Sequence, residues 1–249
     1  MNFVKKSMMK MMNKYIKTFA DIQEIIPHIK NLNTVLLILD WKFSSENYEK
    51  LKNFLTNNQK IQLEKYWKLG DKYNYVATHA IVNIVFSNIN NCDICDADIK
   101  FDNGKPDIEN SRNIKYSISH TKQCAVIGFH QNEIGVDIEN YGCEFDYSKI
   151  LKRYFAYELN VSENIDLRTF YTLWTIKEAY SKFSKKGIKD IENIDIIKRH
   201  RKKAIIKNKN TLDILEIDII HIYKMFVVAM CFDKNESITK GDGQKCLNL

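Results

Sequence analysis

Two periods of hydrophobic and polar residues run along this chain, and each predicts a different kind of element. An apolar stretch within residues 34–43 predicts a buried strand. Apolar residues then recur at three- and four-residue spacings over residues 45–68, and they dominate residues 71–89. We therefore expect two helices there, the second more buried than the first. The first thirty or so residues are expected to form an amphipathic or frayed lead-in.

Alternation with a period of two begins near residue 97 and predicts strands. A turn is expected at Asn103-Gly104. Strands are predicted over residues 98–108, 114–119, 124–129, 134–139, 191–197, 202–207, 211–218 and 221–232, with helices over 146–160 and 167–187. Because helices and strands come in blocks twice over, the order predicts an α+β protein of two comparable halves that meet near residue 130. A polar tail follows residue 232.

Composition limits the classes of function. The chain has 249 residues, enough for a sizeable core, and a formal net charge of +7. A basic protein favours an anionic partner: nucleic acid, a phosphorylated small molecule or an acidic protein. Cys92 and Cys95 form a C-x-x-C pair, but no second pair or histidine cluster completes a zinc site. We expect reduced thiols and a cytoplasmic protein, since no secretory signal or membrane-spanning run is evident.

A strand-like segment at residues 133–142 brings two carboxylates together. Asp137 and Glu139 lie two residues apart, with apolar side chains at the alternate positions, so both point to one face of the strand. Like charges this close repel each other unless a cation lies between them. The simpler interpretation is an edge strand with a wet acidic face. On either interpretation we expect Asp137 to be exposed.

A predicted helix at residues 174–187 carries further charge. Trp174, Glu178 and Lys182 are spaced i, i+4 and i+8 and line one side of it. A Glu–Lys pair at this spacing is often only a surface pair of ~0.2–0.5 kcal/mol. Because tryptophan prefers burial, however, Glu178 and Lys182 are expected at the margin of a cleft. Three carboxylates, from the strand and this helix, could then converge on a hard cation such as Mg²⁺, which takes oxygen ligands partly from water and substrate phosphates.

Two weaker features suggest a phosphorylated ligand. Lys105 follows a tight turn and precedes Pro106, one of two prolines in the chain. Such a setting suits an anion, although a plain hairpin turn is the simpler interpretation. Ser119 and His120 end a strand just before a turn, where a histidine is more often a satisfied surface residue than a ligand.

In this order, the motifs resemble those of the 4′-phosphopantetheinyl transferases, and specifically the large pseudodimeric Sfp-type members. That family has a G-K-P turn, an S-H pair at a strand end, a G-[IV]-D-x-E strand and a W-x-x-K-E-[AS]-x-x-K helix. The chain carries these motifs at residues 104–106, 119–120, 135–139 and 174–182. The resemblance extends over residues from about 55 to 232.

The resemblance implies a pseudo-two-fold arrangement of two similar α+β halves, each an antiparallel sheet packed with helices. Residues 1–130 would form the coenzyme A side, and residues 131–249 the side with the metal site and the carrier-docking surface. The implied reaction moves the 4′-phosphopantetheine arm of coenzyme A to a serine of an apo acyl or peptidyl carrier protein, and it releases adenosine 3′,5′-bisphosphate. The implied protein is a monomer without nucleic-acid or membrane partners.

The resemblance also implies roles for individual residues. Asp137, Glu139 and Glu178 would hold Mg²⁺ against the pyrophosphate. Glu178 would also be the base for the carrier serine, and Lys182 would stabilise charge as the phosphoanhydride breaks. These residues are therefore the expected catalytic and metal-binding set.

Other matching positions would hold coenzyme A, largely through its adenine-side phosphates: Lys105, Pro106, Ser119, His120 and Lys182. Asn74 stands three residues after Asp71, where the family usually has an arginine. The contact that this arginine would make with phosphate is left open among Lys60, Lys65, Lys68 and Lys72.

The last expectation from the resemblance concerns a docking surface. A helix at residues 145–159, with Lys149, Lys152 and Arg153, would border the cleft and attract a carrier that is acidic around its serine; an ordinary core-packed helix is the alternative. A metal-dependent nuclease is disfavoured, because no acid after Pro106-Asp107 is followed two residues later by lysine. A carrier-binding module without activity is disfavoured by the intact acids. Fatty acid, polyketide and nonribosomal peptide systems all stay open, with secondary metabolism favoured.

Overall fold

The computed structural model of the protein describes residues 11–31, 34–91, 99–102, 105–108, 114–162 and 164–233. The strands are β1 (Met12–Ile16), β2 (Val35–Asp40), β3 (Ile99–Asp102), β4 (Lys105–Ile108), β5 (Lys115–His120), β6 (Cys124–His130), β7 (Ile134–Asn140), β8 (Ile194–Arg199), β9 (Lys203–Asn208), β10 (Ile214–Ile222) and β11 (Phe226–Phe232). The helices are α1 (Phe19–Lys30), α2 (Trp41–Glu46), α3 (Tyr48–Lys52), α4 (Asn57–Leu63), α5 (Leu69–Asn90), α6 (Ser148–Tyr154), α7 (Ala156–Val161) and α8 (Leu167–Ser184), with a 3₁₀ helix at Ile188–Asn193.

The first sheet has the strand order β1-β2-β6-β5. Its central strands are apolar on both faces and fully buried from Val35 to Leu39 in β2 and along all of β6, as expected for strands that are covered on both sides. One face packs against α1 and α5 in a core that includes Ile25, Val85 and Phe129. Burying each such side chain contributes ~1.5–3 kcal/mol, so this face holds the helices in place.

The second sheet has the order β7-β11-β10-β9-β8, and every pairing in it is antiparallel. One of its faces is covered by α8 through a core that includes Phe170, Ile176 and Val227. The other face of β7 and β11 meets the first sheet. The α+β fold, with two sheets packed against helices, is confirmed.

A third core cluster joins the two sheets. Leu36 and Val126 of the first sheet lie in it together with Val136 and Met230 of the second. The chain passes from one sheet to the other between His130 and Ile134. Through this packing β5 lies next to β7, which brings the end of β5 towards the carboxylates of β7.

The prediction of two antiparallel sheets is wrong at one edge of the first sheet. β1 pairs with β2 in parallel, from Met12 opposite Val35 to Ile16 opposite Leu39. This edge strand and α1 replace the expected lead-in. A parallel pair needs a crossover, and α1 supplies it; the Thr18 side chain and Asp21 form a capping box that starts this helix.

Several element boundaries also differ from the predictions. The strand predicted to residue 43 ends at Asp40, because its side chain accepts a hydrogen bond from Phe43 N at 2.8 Å and caps α2. The helix predicted over residues 45–68 is divided between α3 and α4, and that over 146–160 is interrupted at Phe155.

Some predictions lie outside the described residues: the Asn103-Gly104 turn, Cys92, Cys95 and the tail from residue 234. Within the described ranges, no helix combines the length and low polarity needed to cross a bilayer.

Candidate active site

Two carboxylates lie on the face of β7 that packs against α8. The helix approaches so closely that a Cβ atom on Gly135 would lie 2.0 Å from the carbonyl oxygen of Ala179 and 2.4 Å from the amide nitrogen of Phe183. Backbone atoms cannot move away from such a contact, so glycine is required at this position. Asp137 and Glu139 follow on the same face and therefore lie directly against α8.

Asp137 accepts hydrogen bonds from both halves of the protein. Its Oδ1 atom accepts a hydrogen bond from Ser119 Oγ at 2.8 Å and another from Lys182 Nζ at 2.7 Å. Asp137 is only 5% exposed, so the expectation that it is exposed on a wet strand face is wrong. β5, which packs across β7, and the close approach of α8 bury it, and neither contact can be inferred from the alternation of residues within β7.

The second oxygen of Asp137 has a different environment. Asp137 Oδ2 is buried and has no hydrogen-bond partner within the part of the chain that the structure describes. A buried carboxylate oxygen without a donor is unfavourable by about 1–3 kcal/mol, and more for a charged group. Such an atom fits a site that takes up a cation or a donor from a ligand.

The neighbouring acids resist ionisation. Burial, and next the negative charge of Asp137, raise the pKa of Glu139 to about 7, and Glu178 acts in the same direction. Burial, followed by Asp137, also raises the pKa of Glu178. Lys182 opposes both shifts. The three carboxylates thus share one electrostatic site in which a single ammonium group balances only part of their charge.

The predicted Mg²⁺ ligands can be tested against this geometry. Within the described residues, no three acidic, histidine or cysteine side chains already form a group gathered for a metal ion. A cation would nevertheless supply a partner for Asp137 Oδ2, which has none among the described residues. It would also lower the raised pKa values of Glu139 and Glu178. The donor set consists of oxygens, which Mg²⁺ prefers, and Mg²⁺ completes its shell with water and substrate phosphates. The residues therefore fit Mg²⁺, and their assignment as ligands stays a prediction.

His120 lies beside this site at the end of β5. Its residue surface is exposed, but partial burial of the imidazole lowers its pKa, whereas Asp71 on α5 acts to raise it. Asn74 holds this region together, because its Nδ2 donates to the Thr121 carbonyl at 2.7 Å. The asparagine that replaces the expected arginine thus ties α5 to the turn that follows His120.

Comparisons with known proteins match the part of the chain that carries these carboxylates. The family model described as ACPS, the 4′-phosphopantetheinyl transferase superfamily, matches residues 133–231, which include β7 and α8. The chain is 26% identical to the 4′-phosphopantetheinyl transferase Sfp of Bacillus subtilis over 160 residues, covering 61% of this chain and 70% of the relative. It is 28% identical to the 4′-phosphopantetheinyl transferase gsp of Aneurinibacillus migulanus over 155 residues, covering 59% and 64%.

A third relative is the putative 4′-phosphopantetheinyl transferase slr0495 of Synechocystis, with 28% identity over 145 residues, 54% of this chain and 58% of the relative. Residues 133–231 thus match the 4′-phosphopantetheinyl transferase superfamily, and the relatives support the predicted Sfp-type family and enzyme class. The alignments span 58% to 70% of these relatives, so substrates and partners are treated below as proposals.

The G-K-P turn of this transferase is described only in part. Lys105 and Pro106 begin β4, whose backbone pairs with Asp102 and Phe101 of β3. Gly104 lies outside the described residues. The coenzyme A-binding roles of Lys105 and Pro106 therefore stay predictions.

A second ion pair on α8 was not predicted from the sequence. Lys177 Nζ lies 3.0 Å from Glu158 Oε1 and donates to the carbonyl of Tyr154. Glu158 in turn accepts from the backbone amide of Ile196 at 3.0 Å. The two charged side chains are 1% and 5% exposed. Lys177 therefore fixes α7 and β8 to the helix that carries Glu178, and its place in the W-x-x-K-E motif was the available signal.

The expected docking helix consists of α6 and α7. Lys149 and Lys152 are exposed on α6. Arg153 instead pairs with Glu192 through Nε and Oε1 at 2.9 Å. Phe155 is buried in the core beneath α8. Two exposed lysines therefore remain on this surface, and its role in docking a carrier stays a prediction.

Proposed function

We propose that this transferase moves the 4′-phosphopantetheine arm of coenzyme A to a serine of an apo acyl or peptidyl carrier protein. The single observation that carries the proposal is the convergence of Ser119 and Lys182 on Asp137, beside two carboxylates with raised pKa values. Such a site combines a base, a fixed cation and a carboxylate oxygen without a partner among the described residues. Phosphoryl transfer depends on these elements, because its chemistry is mostly positioning and charge stabilisation.

The reaction balances without a further reactant. The carrier serine Oγ forms a bond to the phosphorus that bears the pantetheine arm. The bond from this phosphorus to the bridging oxygen breaks, and the oxygen leaves with adenosine 3′,5′-bisphosphate. Glu178 accepts the serine proton, directly or through water. Its raised pKa suits that role, because a more basic carboxylate removes a proton more effectively near neutral pH.

Lys182 stabilises negative charge during the transfer. Its ammonium group lies 2.7 Å from Asp137 Oδ1 and is therefore already oriented at the site. A preoriented charge needs no reorganisation as the phosphoanhydride breaks, and this is the main advantage of electrostatic catalysis. Ser119 holds the other side of the same oxygen.

Asp137, Glu139 and Glu178 would hold Mg²⁺, which would neutralise the pyrophosphate oxygens and polarise the phosphorus. In the protein itself, burial keeps these acids close to one another, and the unpartnered Oδ2 of Asp137 leaves one strong acceptor for the cation. Lys105, Pro106 and His120 are proposed to hold the nucleotide end of coenzyme A.

A direct assay tests the proposal. Purified protein is incubated with coenzyme A, Mg²⁺ and an apo carrier, and the mass of the intact carrier is measured. We expect the carrier to gain the mass of phosphopantetheine, and a carrier with its serine changed to alanine to gain nothing. Carrier that binds without a change in mass would instead indicate a binding module, and any nuclease activity is checked on plasmid DNA in the same buffer.

Binding of coenzyme A is tested at His120. His120→Ala is expected to raise the KM for coenzyme A more than it lowers kcat, because a contact with the nucleotide end of coenzyme A is made equally in the ground state and in the transition state. Dephospho-coenzyme A serves as the control substrate. If wild type and variant discriminate against it equally, His120 does not contact the 3′-phosphate.

The cellular setting follows from the proposed family role. We propose a cytoplasmic monomer in which the half at residues 131–249 supplies the metal and carrier side and the half at 1–130 the coenzyme A side. Carriers of polyketide and nonribosomal peptide systems are the proposed substrates, and the assay above can be run with carriers of each system and with a fatty acid carrier.

A further inference from the structure

A basic pocket lies at the opposite end of α8 from Lys182. The cavity has a volume of about 540 Å³. Four of its lining side chains are cationic and come from four separate positions of the chain: Arg168 at the start of α8, Arg199 at the end of β8, Arg201 in the β8–β9 turn and Lys224 in the β10–β11 turn. None of them belongs to the site described above.

These cations lack a matching negative charge. Among the described residues, none of the four forms an ion pair with a carboxylate. Hydrogen bonds from Thr169 lower the pKa of Asp166, and the nearby Arg199 and Arg168 add to this shift. The Asp166 carboxylate is already used, however, because it caps α8 by accepting Thr169 N at 2.7 Å. Arg168 lies 4.7 Å above the ring of Tyr141. Like charges that converge without a counter-charge repel each other, and a bound anion would remove that repulsion.

The wall of the pocket is held by a short hydrogen-bond chain. His221 Nε2 lies 3.2 Å from the carbonyl oxygen of Arg201, and since a carbonyl only accepts, Nε2 carries the hydrogen. His221 Nδ1 is then the acceptor for the hydroxyl of Tyr141 at 2.9 Å. This chain connects the β8–β9 turn to the end of β7, so the cations around it are presented on a fixed frame.

The turn that carries Lys224 is strained. Tyr223 and Lys224 have φ angles of +49° and +58°. They are the central residues of a tight turn that Met225 N closes on the Ile222 carbonyl, within a three-residue connection between β10 and β11. Two successive left-handed positions are normally asparagine and glycine, because other side chains fit this backbone poorly. Here both positions carry long side chains, and both side chains line the pocket. Strain that is kept in this way is typical of functional sites.

We propose that this pocket binds a small molecule that carries at least two phosphate charges. Guanidinium groups present paired donors that match phosphate oxygens, and three of the four cations are arginines. The volume is within the range of small-ligand sites, and a concave shape suits a compact anion better than the convex surface of a protein. Arg168 lies ten residues before Glu178 on α8, about 15 Å along the helix at 1.5 Å per residue, which places the pocket away from the carboxylate site.

Inorganic pyrophosphate is the probe, and calorimetry without Mg²⁺ is the measurement. Omitting the metal disfavours pyrophosphate at the carboxylates of the active site. We expect wild type to bind, and Arg199→Ala with Arg201→Ala to bind at least about tenfold more weakly, since two charge-assisted hydrogen bonds are lost. Lys198→Ala with Lys202→Ala is the matched control: it removes two charges from the same hairpin, outside the pocket lining, and should bind like wild type.

Lys224→Gly separates ligand binding from folding. Glycine relieves the left-handed strain, so we expect a higher Tm, while the loss of the ammonium group weakens pyrophosphate binding. A higher Tm together with weaker binding supports the proposal. Unchanged binding in both Lys224→Gly and the double arginine variant overturns it, as does equal weakening in the double arginine variant and the lysine control.

Competition with coenzyme A identifies the source of the phosphate. If saturating pyrophosphate leaves the Kd of coenzyme A unchanged, the pocket takes a separate phosphorylated molecule. If the two compete, and the double arginine variant no longer distinguishes coenzyme A from dephospho-coenzyme A, the pocket holds a phosphate of the substrate. A change only in the KM for an acidic carrier, with pyrophosphate binding intact, would overturn the proposal in favour of protein docking.

Discussion

Lys177 and Lys182 both lie on α8, and each binds a buried carboxylate of another element, yet the two ion pairs differ in what remains unsatisfied. Lys177 and Glu158 are 1% and 5% exposed, and backbone groups of Tyr154 and Ile196 complete their hydrogen bonds. In the second pair, the Lys182 side chain is 30% exposed, and one oxygen of Asp137 has no partner among the described residues.

We call the Lys177–Glu158 pair the closed pair and the Lys182–Asp137 pair the open pair. A buried pair whose donors and acceptors are all used can only hold elements together. A pair with a free carboxylate oxygen, an accessible ammonium group and two further acids nearby keeps capacity for a ligand. Five residues along α8 therefore separate an ion pair whose hydrogen bonds are all used from an ion pair that can still bind a ligand.

The largest effect is expected from breaking the closed pair. Lys177→Met leaves Glu158 buried without its cation and should lower the free energy of unfolding by about 3–5 kcal/mol. Lys182→Met should cost only about 1–2 kcal/mol, because the site is partly open to water and Ser119 still donates to Asp137. Urea denaturation measures both, and equal losses for the two variants would remove the distinction drawn here.

The open pair should matter most for the rate. Asp137→Asn keeps an acceptor for Ser119 while removing the charge that Lys182 and a cation would share, so turnover should fall by at least ~10²-fold with little loss of stability. Glu178→Gln should have a similar effect, as expected for a lost general base. Turnover is measured with excess Mg²⁺ and saturating coenzyme A. Near wild-type turnover of Asp137→Asn would rule out its role, and full recovery of Glu178→Gln at high metal would make Glu178 a ligand alone.

Much of the site could be predicted from sequence because its residues occur in short local patterns. The strand with Asp137 and Glu139 shows its alternation directly, and the spacing of Glu178 and Lys182 places both on one helix face. Their partners could not be predicted in this way. Ser119 Oγ reaches Asp137 across 18 residues of sequence, and Glu158 reaches Lys177 across 19. Such contacts depend on how sheets and helices pack, which one sequence does not encode locally.

The fold shows the same limit at its turns. Tyr223 and Lys224 form the β10–β11 turn without the glycine or asparagine that marks a hairpin, so the sequence analysis placed a single strand across it. β1 was missed because a five-residue edge strand carries few periodic positions. For α1 a local signal was present, since Thr18 and Asp21 have the spacing of a capping box.

The acids of the open site should also reduce stability as pH rises. Glu139 has a pKa of about 7 in the folded chain against 4.5 as its ordinary value, so folding takes up a proton between these pH values. Stability contributed by the protonated form is present below pH 4.5 and is lost as pH rises towards 7. Glu139→Gln should remove this slope and gain about 1–2 kcal/mol at neutral pH, with no gain at pH 4. Urea titrations from pH 4 to 8 test it, and parallel curves for wild type and variant would contradict it.

The smallest effect is expected from charges that are fully exposed. Arg153 and Glu192 form a pair with side chains 68% and 46% exposed, which extends the comparison to a third setting in which water screens the interaction. Lys149 and Lys152 on the same helix are exposed and are the charges available to an acidic carrier. Lys149→Glu with Lys152→Glu should leave the free energy of unfolding within about 0.5 kcal/mol of wild type. It should lower kcat/KM for the carrier several-fold and flatten its dependence on salt, because rim charges mainly accelerate encounter. Lys30→Glu with Lys42→Glu, two exposed lysines of the first sheet's helices, is the matched control. If both double variants have the wild-type carrier KM and salt slope, the carrier docks on another surface; if both lose the salt dependence, only the net charge of the protein matters.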